Sequence, residues 1–442
     1  TLTATHTHRF DRNHEITTRI RQGGYERDQR SGAIRFAAAA LQPGGVAASL
    51  ATFGPNTVLN RNTHLKIQDM DTLFAQSDYS GKFRALGLRH EVQAGVDFAR
   101  EEKTVYGARN AAQGGVVPAK PTTIIGRPND GATVDESVRA LRVANDYTSE
   151  GVGVYAQDLI QFAPAWKLLI GARYDKLTGD YNTYAIPNNA AGPETTTSYR
   201  MKVSAWSKRL GLLFQPTPLM SFHLSAATSF NTSGDAYSLS AANVDIPPEE
   251  SINVELGTKL DLLDGRLSVR AGAFRSSKLH ERNTDPLVNL VTLSGKRHVA
   301  GLDFDIAGRI TPAWEMFVSY MWMPIANIDI GVAGSEGQGT RPSLTPVHSG
   351  TVWTTYQVTP RLRAGAGLNL RSSQTPIRNP GWKAEGFVTG DLMLEYAVVP
   401  NQLTMKFNLS NVANKLYADQ LYSGHYIPGA GRLAQVTASW KF

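Results

Sequence analysis

Little in this chain is arranged for covalent or metal chemistry. His6 and His8 fall on one face of a strand, but no third ligand lies within local spacing, so they make no zinc site. Asp303-x-Asp305 looks like the opening of a calcium loop, yet it lies in a strand pattern and lacks the downstream glutamate. The stretch GAGLNL (Gly365–Leu370) has small residues on a strand and no helix after it, so it is not a phosphate-binding loop. Serines and histidines are frequent, but no nucleophile elbow frames any of them. With no cysteine, a disulfide framework, a thiol nucleophile and a thiolate metal site are all excluded. What remains is the chemistry of recognition. Lys and Arg number 45 against 38 Asp and Glu, a net charge of +7 that suits an anionic partner or a merely solvated surface. The 7 Trp and 16 Tyr offer faces for stacking. The sequence predicts no enzymatic activity, no cofactor, no bound metal and no nucleic-acid partner.

The elements that carry these residues are strands. At the C-terminus Ala434, Val436, Ala438, Trp440 and Phe442 alternate with Gln435, Thr437, Ser439 and Lys441. Period two puts the two sets on opposite faces of a strand. The same alternation runs from Trp166 to Asp175, Ile252 to Asp261, Leu362 to Arg371 and Leu403 to Ser410, with full charges in the polar set and an uninterrupted apolar set. A soluble sheet can alternate too, but charge on strand after strand fits an apolar outside and a wet inside. No run of 18 apolar residues is present, so a membrane helix is not expected, and a closed barrel is the remaining way across a bilayer.

The connections fall into two classes that alternate. Short ones carry turn chemistry: Asp11-Arg12-Asn13, the bend near Gly87, Ala163-Pro164-Ala165, Pro216-Thr217-Pro218, Asp264-Gly265, Thr311-Pro312, Thr359-Pro360 and Pro400-Asn401. Long polar ones cover about 27–60, 102–146, 178–199, 231–248, 279–291, 325–343, 372–385 and 412–429. Short periplasmic turns against long external loops are the asymmetry of a bacterial outer-membrane barrel. The pattern predicts an all-β, antiparallel transmembrane barrel wall of about 17 strands, one domain over 1–442. An odd count with both ends on the periplasmic side predicts at least one strand before Thr1 and an open or strained seam between the end strands. No signal peptide is expected in a chain that opens in mid-pattern.

Several stretches resemble the barrel of TonB-dependent ferric-siderophore receptors, most of all the catecholate branch. They are PPEESINVELGTKLDLLDGRLSVRAGAFRSSKLHERNTDP (Pro247–Pro286), SGKRHVAGLDFDIAGRITPAWEMFVSY (Ser294–Tyr320), TPVHSGTVWTTYQVTP (Thr345–Pro360), FNLSNVANKLYADQLYSGHYIPGAGRLAQVTASWKF (Phe407–Phe442) and YAQDLIQFAPAWKLLIGARYD (Tyr155–Asp175). The last 200 or so residues match most specifically, and 27–60 and 102–146 least. The resemblance implies a barrel of about 22 strands filled by an N-terminal plug, with these strands as the sixth to the last. The plug, the segment that contacts the TonB complex and about five strands then lie outside this chain. It also implies import of ferric siderophores, catecholates in particular. The iron arrives chelated, so no protein metal site or cofactor is needed.

On that reading, Arg173, Glu255, Lys259, Arg270, Asp303, Asp305 and Lys406 line the lumen and face the plug, or simply pair with one another. Tyr106, Arg109, Arg127, Arg282, Arg341, Arg378, Trp382, Tyr422 and Tyr426 on the external loops offer charge-assisted hydrogen bonds and ring stacking to an anionic, flat-armed ligand. Arg282 is the best placed, at the loop arginine of the family's Phe…Asn-x-Arg stretch, although His280-Glu281 departs from the pattern just before it. Trp440 and Phe442 resemble the terminal signal read by the barrel assembly machinery. Lipopolysaccharide is an expected neighbour, and the barrel is expected to be a monomer. The alternative is a passive, substrate-specific porin of 16 or 18 strands, which a plug domain upstream would exclude.

Overall fold

A computed structural model turns the alternating segments into one antiparallel sheet. The structure describes residues 1–187, 193–232, 239–241, 243–284, 291–331, 337–376, 381–422 and 425–442. In chain order the strands are β1 (Leu2–Arg9), β2 (His14–Phe36), β3 (Val58–Ala85), β4 (Leu88–Ala108), β5 (Thr123–Ile124), β6 (Leu141–Ala163), β7 (Trp166–Ala185), β8 (Thr195–Thr217), β9 (Met220–Asn231) and β10 (Glu249–Leu262). They continue as β11 (Leu267–Thr284), β12 (Val291–Thr311), β13 (Trp314–Ile330), β14 (His348–Thr359), β15 (Leu362–Arg371), β16 (Phe387–Val399), β17 (Leu403–Ser410), β18 (Ala418–Leu421), β19 (Tyr426–Pro428) and β20 (Leu433–Trp440). Of the 18 strands in the main sheet, β5 is a two-residue strip on the edge of β3, which leaves the expected 17 as the wall. β18 and β19 form a hairpin of their own within a loop.

Each wall strand pairs antiparallel with the next, from β1–β2 to β17–β20. Among the described residues no ladder joins β1 to β20, so the expected seam is present, and every residue of both edge strands is exposed. The short and long connections alternate without exception, with the turns where Pro, Gly, Asp and Asn predict them. Four loops are shorter than expected. One of them, 279–291, contracts to the segment between β11, which ends at Thr284, and β12, which starts at Val291. The other three, 27–60, 102–146 and 178–199, contract to 37–57, 109–140 and 186–194 because β2, β3, β4, β6, β7 and β8 run on for 20 to 28 residues. Roughly 9–11 residues cross a bilayer. The remainder stands above it, where both faces meet water and the apolar half of the alternation vanishes, so the pattern that reveals a strand in sequence is lost there.

Cross-strand partners share a face, so the ladders carry the phase around the wall. Arg173 sits opposite Tyr155 and Ser207. Glu255 sits opposite Ser225, Lys259 opposite Arg270, Arg270 opposite Asp305, Asp303 opposite Gly272 and Lys406 opposite Glu395. All seven predicted lumen residues fall on one face. Trp166, Ile170 and Tyr174 fall on the other, against Phe214, Leu210 and Trp206. Tyr320, Trp322 and Trp440 join that outer face, opposite Phe304, Leu302 and Leu403. Phe442 follows the end of β20 and is fully exposed.

The apolar set is interrupted in places where continuity was expected. His90, Asp158 and Lys208 all take outward positions, opposite Ile160, Ile170 and Ala172 respectively. On the lumen side, large groups lie across glycines of the neighbouring strand. A Cβ on Gly95 would fall 2.6 Å from the Tyr155 hydroxyl, so that ring needs a glycine beneath it.

Candidate functional site

Three of the predicted ligand residues converge. The β15–β16 loop is closed at its neck by two backbone hydrogen bonds between Gln374 and Ala384, 3.1 and 2.9 Å. The β17–β20 loop is organised by Asn411, which is buried and holds positive φ. Its side-chain amide donates to the carbonyls of Lys415 and Ala430, both 2.9 Å, and its carbonyl accepts from Lys415 N at 2.9 Å. Asparagine suits this position because it tolerates the left-handed region and satisfies backbone groups locally. Arg371, at the end of β15, donates to the carbonyls of Ala418 (2.5 Å) and Asp419 (2.8 Å) and lies 4.9 Å over the Phe387 ring. Phe387 in turn packs on Tyr417 at 4.3 Å. These contacts tie the two loops together.

Between them lies an open cleft of about 710 Å³ whose lining includes Trp382, Lys383, Lys415, Tyr417, Tyr422, His425 and Tyr426. Trp382 is 70% exposed, and Tyr422 stacks face to face on His425 at 4.6 Å and 7°. The cleft thus offers flat aromatic faces flanked by two lysines. Such a set can stack on a planar ring and attract an anion. Lys383, Lys415 and His425 were not singled out from sequence. The signal was their position beside Trp382 and Tyr422 in the same two loops.

The other predicted loop residues are placed elsewhere. Tyr106 lies on the outward face at the top of β4 and donates to Asp69 Oδ2 at 2.8 Å, which raises its phenol pKa. Arg109 braces the neck of the β4–β6 loop, its N–H donating to the Ala140 carbonyl at 2.9 Å and its guanidinium to that of Gln113 at 3.4 Å. Arg127 is exposed near the tip of that loop. The Arg341 guanidinium donates to the carbonyls of Met323, Thr345, Pro324 and Pro346, a loop staple whose burial pushes its pKa down. Arg282 lies near the end of β11, and Arg378 lies outside the described residues.

Four of the seven predicted lumen charges are paired. Arg173 donates to Asp97 through Nη1 (2.6 Å) and Nη2 (2.9 Å), also to Asp175, and lies 5.5 Å from the Tyr155 ring. Glu255 pairs with His223 at 2.9 Å, Lys259 with Asp261 at 2.9 Å and Lys406 with Glu395 at 4.0 Å. Higher on the same face, Tyr147, Tyr181, Met201 and Val203 form an apolar cluster covered by Leu239 of the β9–β10 loop.

The β4–β6 loop is fastened to the outward side of the β2–β3 hairpin. Arg61 makes a fork to Asp130 (2.8 and 2.9 Å), Arg139 a fork to Asp28 (3.1 and 2.6 Å), and Arg30 pairs with Glu136. The Arg61 guanidinium holds the Asp130 carboxyl down at about 2. Arg30 keeps Glu136 below the usual carboxylate range.

Comparison with known proteins follows the same lines. The family model described as "TonB dependent receptor-like, beta-barrel" matches residues 1–412. The probable TonB-dependent siderophore receptor PiuA of Acinetobacter baumannii is 29% identical over 408 residues, covering 85% of this chain and 53% of that protein. The catecholate siderophore receptor Fiu of Escherichia coli K12 is 26% identical over 413 residues, covering 87% of this chain and 52% of that protein. The crystal structure of Fiu in its closed form superposes with a TM-score of 0.83 over 100% of this chain and 63% of that one, at 24% identity. The chain spans about half the length of the relatives it matches. A model matched over nearly the whole chain, a wall of the same fold and the alternation of turns and loops agree: this chain belongs to the TonB-dependent receptor family and forms the outer-membrane β-barrel of that family.

Proposed function

We propose that this barrel serves a receptor that imports ferric siderophores, catecholates in particular, across the outer membrane with energy supplied through TonB. The observation that carries this reading is the aromatic and basic cleft of Trp382, Lys383, Lys415, Tyr422 and Tyr426 on two external loops. A ferric catecholate is anionic and has flat aromatic arms, and this set answers both properties. The relatives named as siderophore and catecholate receptors support it. The porin alternative loses its ground, since the matched family is one of TonB-dependent receptors. The iron is cargo held by its chelator, so the barrel needs no cofactor and no catalytic group. Arg282 and Arg378 remain candidates for the same ligand from neighbouring loops. The barrel acts as a monomer, its lumen charges meet a plug, and Trp440 and Phe442 present the assembly signal.

The test is uptake of radiolabelled ferric catecholate by cells that lack their own receptors and carry the intact protein. TonB-dependent accumulation is the expected result. Equal passage with TonB inactivated, together with leakage of small sugars, would favour a passive channel.

A further inference from the structure

Charge is unevenly spread around the lumen, and the surplus sits on β2 and β3. No register shift interrupts the ladder between these two strands, so one phase runs its whole length. Odd positions of β2 and even positions of β3 share the face of Asp78, which accepts the hydroxyl of Tyr155 and so marks the lumen. That face carries Arg19, Arg21 and Arg27 on β2, and Lys66, Lys82 and Arg84 on β3, all of them exposed. Among the described residues its only carboxylates are Glu15 and Asp78. Both are engaged, Glu15 with Arg9 at 3.2 Å and Asp78 with the Gln76 amide at 2.9 Å as well as with Tyr155. Arg19 stands 3.5 Å from Asp78, and Lys82 stands 3.5 Å from Glu91 on β4. Arg21, Arg27, Lys66 and Arg84 make no ion pair among the described residues.

The cations are spaced from one end of the crossing to the other. Lys82 and Arg84 lie beside the periplasmic turns, Arg19 and Arg21 within the wall, and Arg27 and Lys66 above it. Six residues separate the level of Lys82 from Arg19, and six more separate Arg21 from Arg27. Six residues of strand span about 20 Å. Tyr25 lies between the middle and upper cations and is 45% exposed. A Cβ on Gly23 would meet its ring at 2.8 Å, so the ring lies along the strand toward Arg21, which donates to its hydroxyl at 3.3 Å. At the top Lys103 of β4 joins the face opposite Met70, and burial, then the charge of Arg27, push its pKa down. Other walls are balanced. On β10 to β12 Lys259 meets Asp261, Lys278 meets Glu249 and Arg297 meets Glu281. Cations that served only to solvate the lumen would be mixed with carboxylates on every wall, as they are there.

We propose that β2 and β3 form the wall along which an anionic iron chelate crosses the lumen, passing from Arg27 and Lys66 to Arg21 and Arg19 and then to Lys82 and Arg84. The path rests on the reading of the barrel as an importer of ferric catecholates and adds to it the side of the lumen that the cargo takes. Charge selects the cargo, since a cationic wall draws an anion and repels a cation. Spacing keeps it moving. Cationic points about 20 Å apart hold an anion one step at a time, and several weak sites let it leave where one strong site would trap it. Tyr25 gives a flat aromatic arm a ring to slide over between two of the steps.

The experiment uses cells that lack their own receptors and carry the intact protein. It measures equilibrium binding and TonB-dependent uptake of a radiolabelled ferric tris-catecholate, both per receptor copy. The variant Arg21→Gln/Arg27→Gln/Lys66→Gln should keep its dissociation constant within about twofold of the parent while its maximal uptake rate falls at least fivefold. The variant Arg21→Lys/Arg27→Lys/Lys66→Arg, which keeps the charges, should retain the rate. The proposal is overturned if the neutral variant transports within twofold of the parent, if its binding weakens as much as its uptake, or if the charge-preserving variant loses the rate as well. Leakage of small sugars through the neutral variant with TonB inactivated also overturns it, because the cations would then be holding a lumen-filling segment of the protein in place. Absence of uptake by the parent sinks the importer reading and this path with it. Uptake by the parent that the neutral variant matches sinks the path alone.

Discussion

Asp158 Oδ2 lies 2.6 Å from Nδ1 of His90 on the lipid-facing side of the wall. The pair bridges β6 and β4 at a level where β7 presents Ile170. His90 Nε2 and Asp158 Oδ1 are both buried and have no hydrogen-bond partner among the described residues. Phe83 covers the imidazole, its ring stacked at 5.2 Å. An ionisable pair at this depth is costly unless each member satisfies the other.

The first prediction follows from that cost. Asp158→Leu alone strands a buried imidazole and should destabilise the barrel by about 3–5 kcal/mol. The double variant His90→Phe/Asp158→Leu removes both polar groups and should range from neutral to about 4 kcal/mol more stable than the parent. Urea unfolding of protein folded into lipid vesicles measures both. A double variant as unstable as the single would show that the pair itself stabilises the wall.

A second prediction concerns acid and the β4–β6 loop. Asp130 titrates at about 2 in the folded protein, below its ordinary 3.8, because it accepts two hydrogen bonds from Arg61. A carboxyl with a depressed folded pKa contributes stability above its unfolded pKa and loses it as pH falls through the folded value. The loop should therefore stay protected from hydrogen exchange at pH 5–7 and open progressively between 3.8 and about 2. Arg61→Gln should expose residues 109–140 already at neutral pH. Protection that is unchanged down to pH 2 would mean the ion pairs do not hold the loop.

The alternation that made the wall legible also shows where sequence reading stops. Inside the membrane each strand must be apolar toward lipid and polar toward water, so Trp166–Asp175 and Leu403–Ser410 declare themselves, and Arg173 and Lys406 fall on the predicted face. Above the membrane Arg27 pairs with Gln68 and Ser31 with His64. Nothing apolar marks those positions as strand, and they read as loop. The cleft was half legible. Trp382, Tyr422 and Tyr426 stood out by type, but which loops meet depends on Arg371 reaching backbone carbonyls far along the chain, and the shape of the β17–β20 loop depends on Asn411 bonding within it. Arg341 shows the converse: an exposed-looking cation that the fold uses to brace its own loop.

The third prediction tests the outward phase. Ile170→Arg places a guanidinium toward lipid near the bilayer midplane and should cost about 2–4 kcal/mol in lipid-based unfolding. Arginine at Lys176, on the same strand and face but at the headgroup level, should change stability by no more than about 1 kcal/mol. Equal costs at the two positions would contradict the assignment of depth along β7.

The last prediction concerns the cleft. Trp382→Ala and Tyr422→Ala each remove an exposed ring that can stack on a catecholate arm, and each should weaken binding of a ferric catecholate to the intact receptor by about 0.5–1.5 kcal/mol. Lys383→Ala with Lys415→Ala removes two charges from the rim, so affinity should fall and its salt dependence should flatten. Arg282→Ala should cost about 1.5–3 kcal/mol if its guanidinium makes a charge-assisted hydrogen bond to the ligand. Isothermal titration with a ferric catecholate at two salt concentrations measures all of these. Because Tyr422 stacks on His425 in the free protein, its loss also loosens the β18–β19 hairpin, so Tyr422→Phe serves as the control that keeps the ring. Full affinity in the Trp382 and Tyr422 alanine variants would take the cleft out of the binding site. Growth on ferric hydroxamates but not on ferric catecholates would overturn the ligand class while leaving a siderophore receptor in place.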